Sequence, residues 1–449
     1  MLHSRLKHGR FGVLLAGILS VVPLSASVTG SDAAHGPGLR GRLVVGYQGW
    51  FGCPGDFGSN RVWQHWFLNG VQPQHFTVDL LPSLTGFETS DLCDTGLVRP
   101  DGSKLYLYSA QNPHVVATHF RWMREHGIDG AAVQRFVAAI VDPEKRRRSD
   151  KMLRNVMAAA AAEQRVFYLT YDVSQADPAT VIDTIRSDWR HLVDDLGLTA
   201  SPGYLFDDGK PVLELWGFGF IDHPGSPLEV AALIRELKTG RNGSGAVRVV
   251  GGVPTSWRTL AGDSQSDPAW AATYRGFNVI SPWSVGRFHD AAGADAFRNK
   301  QLEPDLAETR RLGIGYMPVI FPGFSWSNMQ RNRGQQARAI LNQIPRRCGT
   351  FLWRQVYNVL GSGADMMYAA MFDEFDEGTA LLPTITRPDD VPLGAVVVTH
   401  DDDGCHLRDD WYLQITGKAA QLLRTGAAPP PDLSTLLTPT TETPEGTRR

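Results

Sequence analysis

The sequence has few cysteines and almost no excess of charge of either sign. It contains 4 Cys in 449 residues, none in a Cys-x-x-Cys pair, which excludes a disulfide-stapled miniprotein and disfavours a thiolate zinc site. Its 44 basic and 47 acidic residues give a formal charge of −3, so no nucleic-acid partner held by bulk charge is expected. With 42% apolar residues, the chain can bury a large core.

Long hydrophobic runs are also scarce. The one at the start, Phe11–Val22, follows the basic residues Arg5, Lys7 and Arg10 and is shorter than the roughly 18–20 residues that span a membrane. Residues 1–30 therefore predict a signal peptide and a secreted or periplasmic protein. No later segment resembles a membrane span.

We predict that the exported part forms one domain, residues 40–426, followed by a disordered tail, residues 427–449. The tail is rich in Pro and Thr and lacks apolar periodicity. Four Cys in an oxidising compartment favour two disulfides, with three connectivities open. The pairs Cys53–Cys93 and Cys348–Cys405 are preferred, because each would close one loop-rich segment.

Eight short apolar runs recur along the chain, nearly continuous in β-branched and aromatic residues, as in strands buried on both faces. They are Leu43–Trp50, Ile128–Phe136, Arg165–Tyr171, Pro211–Gly219, Val247–Val253, Phe277–Pro282, Gly315–Phe321 and Met366–Glu374. Helical patterns follow most of them, at His114–His126, Ser149–Glu163, Ala179–Leu196, Pro227–Lys238, Asp267–Tyr274, Glu303–Leu312, Gly334–Ile344 and Trp411–Leu423.

This alternation predicts an α/β fold, a (β/α)8 TIM barrel, with a long insertion, residues 51–112, between the first strand and its helix. An open doubly wound sheet is the alternative, but no G-x-G-x-x-G follows the first strand. Within the helical patterns, Lys145–Arg148 is interpreted as a solvated helix start.

Catalysis in such a barrel takes place at the carboxyl ends of the strands, where this sequence places aromatic and polar residues. These are Tyr47, Trp50, Gln134, Tyr171, Asp172, Trp216, Trp257, Trp283 and Trp326. A sugar ring stacks its apolar C–H face on aromatic rings and needs amides or carboxylates for its hydroxyls. The pattern therefore predicts a carbohydrate partner.

The last strand runs into an acidic segment, Phe372-Asp373-Glu374-Phe375-Asp376-Glu377-Gly378-Thr379. Carboxylates so close together raise one another's pKa, and a glycosidase uses such a split pair as acid and base. A solvated turn, a Ca²⁺ loop and a structural ion pair with an arginine are the alternatives.

This segment resembles Phe-Asn-Glu-Trp-x-Glu-Gly-Thr of glycoside hydrolase family 99, the endo-α-mannosidases, and of the related 71/99-like group. It departs from that motif at Asp373 and Phe375. Further resemblances are Val45–Gly52, Trp63-x-His65-Trp66, Gly127–Gly130, Thr170–Ser174 and Asp410–Leu413, so that the similarity covers about residues 43–425.

The resemblance implies a (β/α)8 barrel and assigns Glu377 as the general acid and Glu374 as the carboxylate that deprotonates the 2-hydroxyl, with net retention. His65 and Trp66 would wall the first subsites. Asp401–Asp403 is an oxygen-rich turn without EF-hand spacing, and a solvated loop is favoured over Ca²⁺ there.

Together these features predict an exported, retaining and endo-acting glycoside hydrolase of α-linked glycans, monomeric, without cofactor or metal. The alternatives are a non-catalytic carbohydrate-binding barrel, an α-1,3-glucanase-like enzyme and an arabinosidase- or xylosidase-type hydrolase.

Overall fold

The computed structural model describes residues 38–56, 62–241, 243 and 245–437. The predicted signal peptide lies outside these residues, as does the end of the predicted tail from residue 438. Among the described residues, no helix is long and apolar enough to cross a membrane.

The core is a ring of parallel strands. The strands of the described structure, including β2, β3 and β6 outside the ring, are in chain order β1 Leu43–Tyr47, β2 Leu92–Val98, β3 Lys104–Tyr108, β4 Gly130–Phe136, β5 Val166–Asp172, β6 Phe206–Asp207, β7 Lys210–Trp216, β8 Arg248–Val253, β9 Val279–Pro282, β10 Gly315–Tyr316, β11 Val319–Ile320 and β12 Met367–Ala369. Neighbours pair in the order β10-β9-β8-β7-β5-β4-β1-β12-β11. Since β10 and β11 are successive parts of one extended segment, the path returns on itself.

Two backbone hydrogen bonds show this closure. The amide of Met317 donates to the carbonyl of Ile280 at 2.8 Å, and the amide of Ala370 donates to the carbonyl of Ile320 at 2.8 Å. The predicted (β/α)8 barrel is thus confirmed, and the open sheet is excluded. All eight predicted runs contain a barrel strand, but β12 is shorter than its run and ends before the acidic residues.

Helices cover the outside of the ring. They are α1 Pro113–Glu125, α2 Val137–Ile140, α3 Pro143–Glu163, α4 Val181–Arg190, α5 Pro227–Thr239, α6 Ala269–Tyr274, α7 Ala291–Phe297, α8 Glu303–Leu312, α9 Ser327–Asn332, α10 Thr350–Gly361 and α11 Trp411–Thr425. Most predicted helices are confirmed. Helix α3 begins earlier than predicted, because the Asp142 side chain caps the amides of Glu144 and Lys145.

The prediction of a helix over Gly334–Ile344 is wrong. Only a short 3₁₀ turn, Gln336–Arg338, forms there, and Asn342 has a left-handed backbone with φ 50°. After the seventh barrel strand the chain forms the short α9 and then α10, which buries an apolar stripe that includes Phe351, Val356 and Val359. Apolar residues at helical spacing in residues 334–344 were thus misleading, because this segment packs as a loop.

The predicted insertion folds over the carboxyl ends of the strands. It contains the antiparallel hairpin of β2 and β3, which the sequence did not predict. Disulfides join Cys53 to Cys93 within the insertion and Cys348 to Cys405 between the turn just before α10 and the segment before α11, so the preferred connectivity is confirmed.

Asp79 fastens this insertion to the loop after β11. Its buried carboxylate accepts hydrogen bonds from the hydroxyl of Ser325 at 2.5 Å, the amide of Ser327 at 2.6 Å and the amide of Asn328 at 2.7 Å. Its own amide donates to the carbonyl of Phe375 at 3.0 Å. One residue thereby links the insertion, the segment of Trp326 and the acidic segment.

The prediction of a disordered tail is wrong for residues 427–437. The indole N–H of Trp353 donates to the carbonyl of Pro430 at 3.0 Å, and Leu433 is buried. Apolar contacts of single residues, without periodicity, hold this segment on the barrel.

We expect Asp79→Asn to lower the free energy of unfolding by about 1–3 kcal/mol, because an amide turns one of the acceptor oxygens into a donor that faces a backbone N–H. Denaturant unfolding measures the change. Asp94→Asn is the matched control, since its exposed pair with Lys104 contributes little. Equal small losses in both variants would contradict the role of Asp79.

Candidate functional site

The acidic residues lie on a loop, Met371–Thr379, which we name the acid loop. It begins two residues beyond the end of β12, at the mouth of the barrel. Asp373 is fully buried and accepts hydrogen bonds from the backbone amides of Gln48 at 2.7 Å and Gly49 at 2.8 Å. Burial raises the pKa of Asp373 to about 7. Asp373 therefore serves as the anchor that joins the acid loop to the end of β1.

Glu374 is held from the side of β1. One carboxylate oxygen, Oε2, accepts a hydrogen bond from the side-chain amide of Gln48 at 2.5 Å, while Oε1 is buried without a protein partner among the described residues. Burial and the charges of Asp376, Glu377 and Asp373 raise the pKa of Glu374 well above its ordinary value, and the Gln48 hydrogen bond partly opposes them.

Glu377 is the member of the group that is partly exposed, and its carboxyl lines the cavity described below. In the described part of the chain, no side chain donates a hydrogen bond to this carboxyl, whereas its backbone carbonyl accepts from the amide of Ser325 at 2.8 Å. Burial, Asp376 and Asp172 raise the pKa of Glu377 to about 7, and Arg333 acts in the opposite direction. At neutral pH this carboxyl is therefore poised to give up a proton.

Asp376 pairs with His65 of the insertion. The Nδ1 atom of His65 lies 3.3 Å from Oδ2 of Asp376, and its ring stacks on Trp50 with the centroids 4.1 Å apart. Phe136 covers the other face of Trp50, with the centroids 5.2 Å apart. Trp50 can therefore offer a ligand only its edge, and its buried indole N–H has no partner among the described residues.

The residue between the two acid pairs does not reach the ligand space. Phe375 is fully buried and packs against Phe51 and Trp66, with ring centroids 5.3 and 5.4 Å away. Trp66 is itself fully buried, and its indole N–H donates to the carbonyl of Tyr108 at 3.0 Å. This corrects the expectation that Trp66 walls a subsite, since it belongs to the core of the insertion.

A cavity of about 770 Å³ opens above the acid loop. Predicted residues that line it are Trp50, His65, Gln134, Asp172, Trp216, Trp283, Trp326, Glu374 and Glu377. This volume is in the range of sites for ligands of several rings. Most of the predicted site residues are thus brought together.

Two strand ends supply polar groups to the cavity. Gln134 is buried, and its amide donates weakly to the hydroxyl of Tyr368 at 3.4 Å, while its Oε1 atom has no partner among the described residues. Asp172 accepts from the amide of Ser174 at 2.7 Å, and burial raises its pKa to about 6. Both present oxygens to which sugar hydroxyls could donate.

Trp216 and Trp283 form one aromatic wall, in edge-to-face contact with the centroids 5.3 Å apart. Trp326 stands at another part of the cavity, where the guanidinium of Arg333 lies 5.3 Å from its ring centroid. The three indoles are partly exposed, as a surface that stacks on a sugar ring must be.

Two further predicted residues face away from the cavity. Tyr47 is fully buried and its hydroxyl lies 3.0 Å from Nδ1 of His119. Tyr171 is fully buried and its hydroxyl donates to Asp188 at 2.7 Å. Trp257 is fully buried as well. The expectation that Tyr47 and Tyr171 contact a ligand is corrected here, because successive side chains of a strand point to opposite faces.

The sequence did not single out several residues that line the cavity. Gln48 stands in the quoted motif of the first strand, so a signal existed for it. Arg333 lies beside a segment interpreted as helix, and Lys145 and Arg148 belong to the basic run that was assigned to solvent. Asp376 lies in the acidic motif but was given no role.

The described residues contain no group of three or more His, Cys, Asp or Glu side chains placed to hold a metal ion. In the turn Asp401–Asp403, Asp402 accepts a hydrogen bond from the amide of Thr399 at 3.0 Å, and Asp403 accepts from the amide of Arg347 at 2.5 Å. One carboxylate thus caps a backbone amide at the start of its own turn, and the other caps an amide of the segment that precedes α10.

Comparisons with known proteins agree with the barrel. No family model matches the chain, and no curated protein matches it. Two solved structures of the glycoside hydrolase family 99 endo-α-mannosidase from Bacteroides thetaiotaomicron, one in complex with BIS-TRIS-propane, are similar in fold. They have TM-scores of 0.59 and 0.60 and identities of 15% and 14%, and each comparison covers 86% of this chain and 99% of the other. At such identity the similarity establishes the fold.

The buried carboxyls predict a pH-dependent stability. The folded-state pKa values of Asp373 and Glu377 are raised to about 7, while an unfolded chain has values near ~4. Between these limits the folded state binds more protons, so we expect the free energy of unfolding to fall as the pH rises from about 4 to 7 and then to level off.

Glu374→Gln should therefore be more stable than the native protein at pH 8, by on the order of 2 kcal/mol, because an amide keeps the Gln48 hydrogen bond and avoids the cost of either burying a charge or taking up a proton at that pH. Thermal unfolding at pH 5 and pH 8 measures this. Glu229→Gln, at an exposed carboxylate whose pKa is lowered, is the control and should gain nothing at pH 8. If the native protein were more stable than Glu374→Gln at pH 8, the burial of the Glu374 carboxyl would not have the expected cost in stability.

Proposed function

We propose that the protein is an exported glycoside hydrolase that cleaves α-glycosidic bonds in a poly- or oligosaccharide. We further propose that it retains configuration and acts within the chain, like the endo-α-mannosidases. The observation that carries the proposal is the pair of buried Glu374 and partly exposed Glu377 at a cavity walled by tryptophans. Carboxyls with raised pKa beside aromatic platforms suit acid–base chemistry on a sugar.

The surroundings of the two carboxyls give them different roles, one as acid and one as base. Groups that repel each other lose their protons in separate steps, so over a range of pH one is protonated and the other charged. We assign the proton to Glu377, whose carboxyl faces the cavity. The base role goes to Glu374 on the resemblance to family 99, and the hydrogen bond from Gln48 partly offsets the burial and repulsion that raise the pKa of this carboxyl.

The reaction follows from these positions. Glu374 takes the proton of the 2-hydroxyl as that oxygen attacks C1, and the bond from C1 to the leaving oxygen breaks while Glu377 gives that oxygen its proton. Water then opens the C1–O2 bond of the epoxide-like intermediate, giving a proton to Glu377 as Glu374 returns the first proton to O2. Two displacements at C1 give net retention.

Binding would rest on the partly exposed indoles. Trp216 and Trp283 offer surfaces on which sugar rings stack, while Gln134 and Asp172 accept hydrogen bonds from hydroxyls at the ring edge. The export of the chain is supported by the two disulfides, since such bonds persist in oxidising compartments.

We expect Glu377→Gln and Glu374→Gln each to lower the release of reducing ends from an α-linked glycan by 10³-fold or more, on the order of what acid–base groups contribute. Reducing-end assays on α-mannans, α-1,3-glucan and arabinose- or xylose-containing glycans measure it. Asp389→Asn, an exposed change outside the cavity, is the control. Full activity of either Gln variant would contradict the assignment, and binding without hydrolysis by the native protein would indicate a carbohydrate-binding barrel.

The pKa of Glu377 also predicts how kcat/KM changes with pH on the alkaline side. Because the acid must be protonated and its pKa is about 7, kcat/KM should fall roughly tenfold per pH unit above about pH 7. A substrate whose leaving group needs no proton, such as an aryl glycoside with an acidic phenol, should lose most of this decrease. A rate that stays constant up to pH 9 on the glycan would exclude Glu377 as the acid.

A further inference from the structure

The basic run Lys145–Arg148, interpreted from sequence as a solvated helix start, partly faces the cavity. Lys145 and Arg148 line it together with Ser149 and Met152, which follow on the same side of α3. Arg146 points elsewhere, and its Nε lies 3.6 Å from Asp188. The helical period thus places two of the four cations on a wall of the proposed sugar site.

These two cations differ in their partners. Arg148 is paired with Glu144 at 2.5 Å, whereas Lys145 has no carboxylate within ion-pair distance among the described residues. Lys145 is exposed, so its ammonium can turn toward the cavity. The wall therefore has a cation without a counter-ion beside a second cation whose carboxylate partner, Glu144, is itself exposed.

The acid loop already has its own balancing cation. Burial raises the pKa of Asp376 and of Glu377, the charge of Arg333 partly offsets this, and Arg333 lies beside Trp326. The lining of the cavity therefore contains the carboxyls of the acid loop with Arg333, and also the two α3 cations. A neutral sugar chain does not use these cations, but a chain with one negative group would be oriented by them.

We propose that the α3 wall, formed by Lys145 and Arg148, binds an anionic substituent of the glycan: a carboxylate, a phosphate ester or a sulfate ester. The inference rests on the proposed function in that the ligand is a saccharide. The neighbouring side chains Ser149 and Gln175 line the same cavity and supply further polar contacts for such a group. Repulsion by the acid loop keeps the substituent away from the reacting bond and so sets the direction of the chain.

The test compares matched ligands on the full chain. Tryptophan fluorescence measures the binding of mannose, mannose 6-phosphate, mannose 6-sulfate and mannuronate in 50 mM and 500 mM salt. We expect at least one anionic sugar to bind roughly tenfold more tightly than mannose at low salt, as a charge-assisted contact provides, and the preference to shrink at high salt. The preferred anion identifies the substituent as a carboxylate or an ester.

Lys145→Gln and Arg148→Gln should each bring the ratio of the affinity for the anionic sugar to the affinity for mannose toward 1. Arg338→Gln, an exposed change outside the cavity, should leave this ratio unchanged. Circular dichroism checks that each variant is folded. Equal binding of mannose and all three anions, or a preference that survives in both Gln variants, would overturn the inference.

Failure of this inference can be told apart from failure of the proposed function. Hydrolysis of a neutral α-glycan without any preference for anions would overturn the anion site and leave the hydrolase in place. A preference for anions that depends on Lys145, without hydrolysis of any glycan, would support the anion site and overturn the hydrolase.

Discussion

The burial of three carboxyl groups beside a fourth, partly exposed one on the same short loop is the constraint on which the site depends. Removing a charge from water is costly unless protons or hydrogen bonds compensate. Here two elements supply the partners: the end of β1 binds Asp373 and Glu374 through Gln48, and the insertion binds Asp376 through His65. Among the acids of this loop, Glu377 is the one whose carboxyl accepts no hydrogen bond from the described residues, and it faces the cavity, where a reactive proton is useful.

This constraint gives the long insertion a physical reason. Phe375 separates the two acid pairs and needs an apolar environment, which Trp66 and its neighbours in the insertion supply. Asp79 then fixes the same insertion to the segment that carries Trp326. The insertion therefore supports the acid loop and also helps to form the aromatic cavity. A change in the insertion should affect both.

The sequence predicted the barrel well because strands buried on both faces leave continuous apolar runs, and it predicted the acid loop because clustered carboxylates are rare at a strand end. It could not decide which way neighbouring side chains point: Asp172 faces the cavity and Tyr171 the outside. It also missed Lys145, since a basic run on a helix looks the same whether it faces solvent or a cavity. Such distinctions depend on the rotation of each element in the tertiary structure.

The central claim is that the acid loop holds a protonated carboxyl near neutral pH. Carbon-13 NMR of glutamate side chains follows this directly across pH 3–9 in the native protein and in Glu377→Gln. The account predicts a glutamate resonance that titrates near pH 7 in the native protein and is lost in the variant. If every glutamate of the native protein titrates below about pH 5, the claim is wrong.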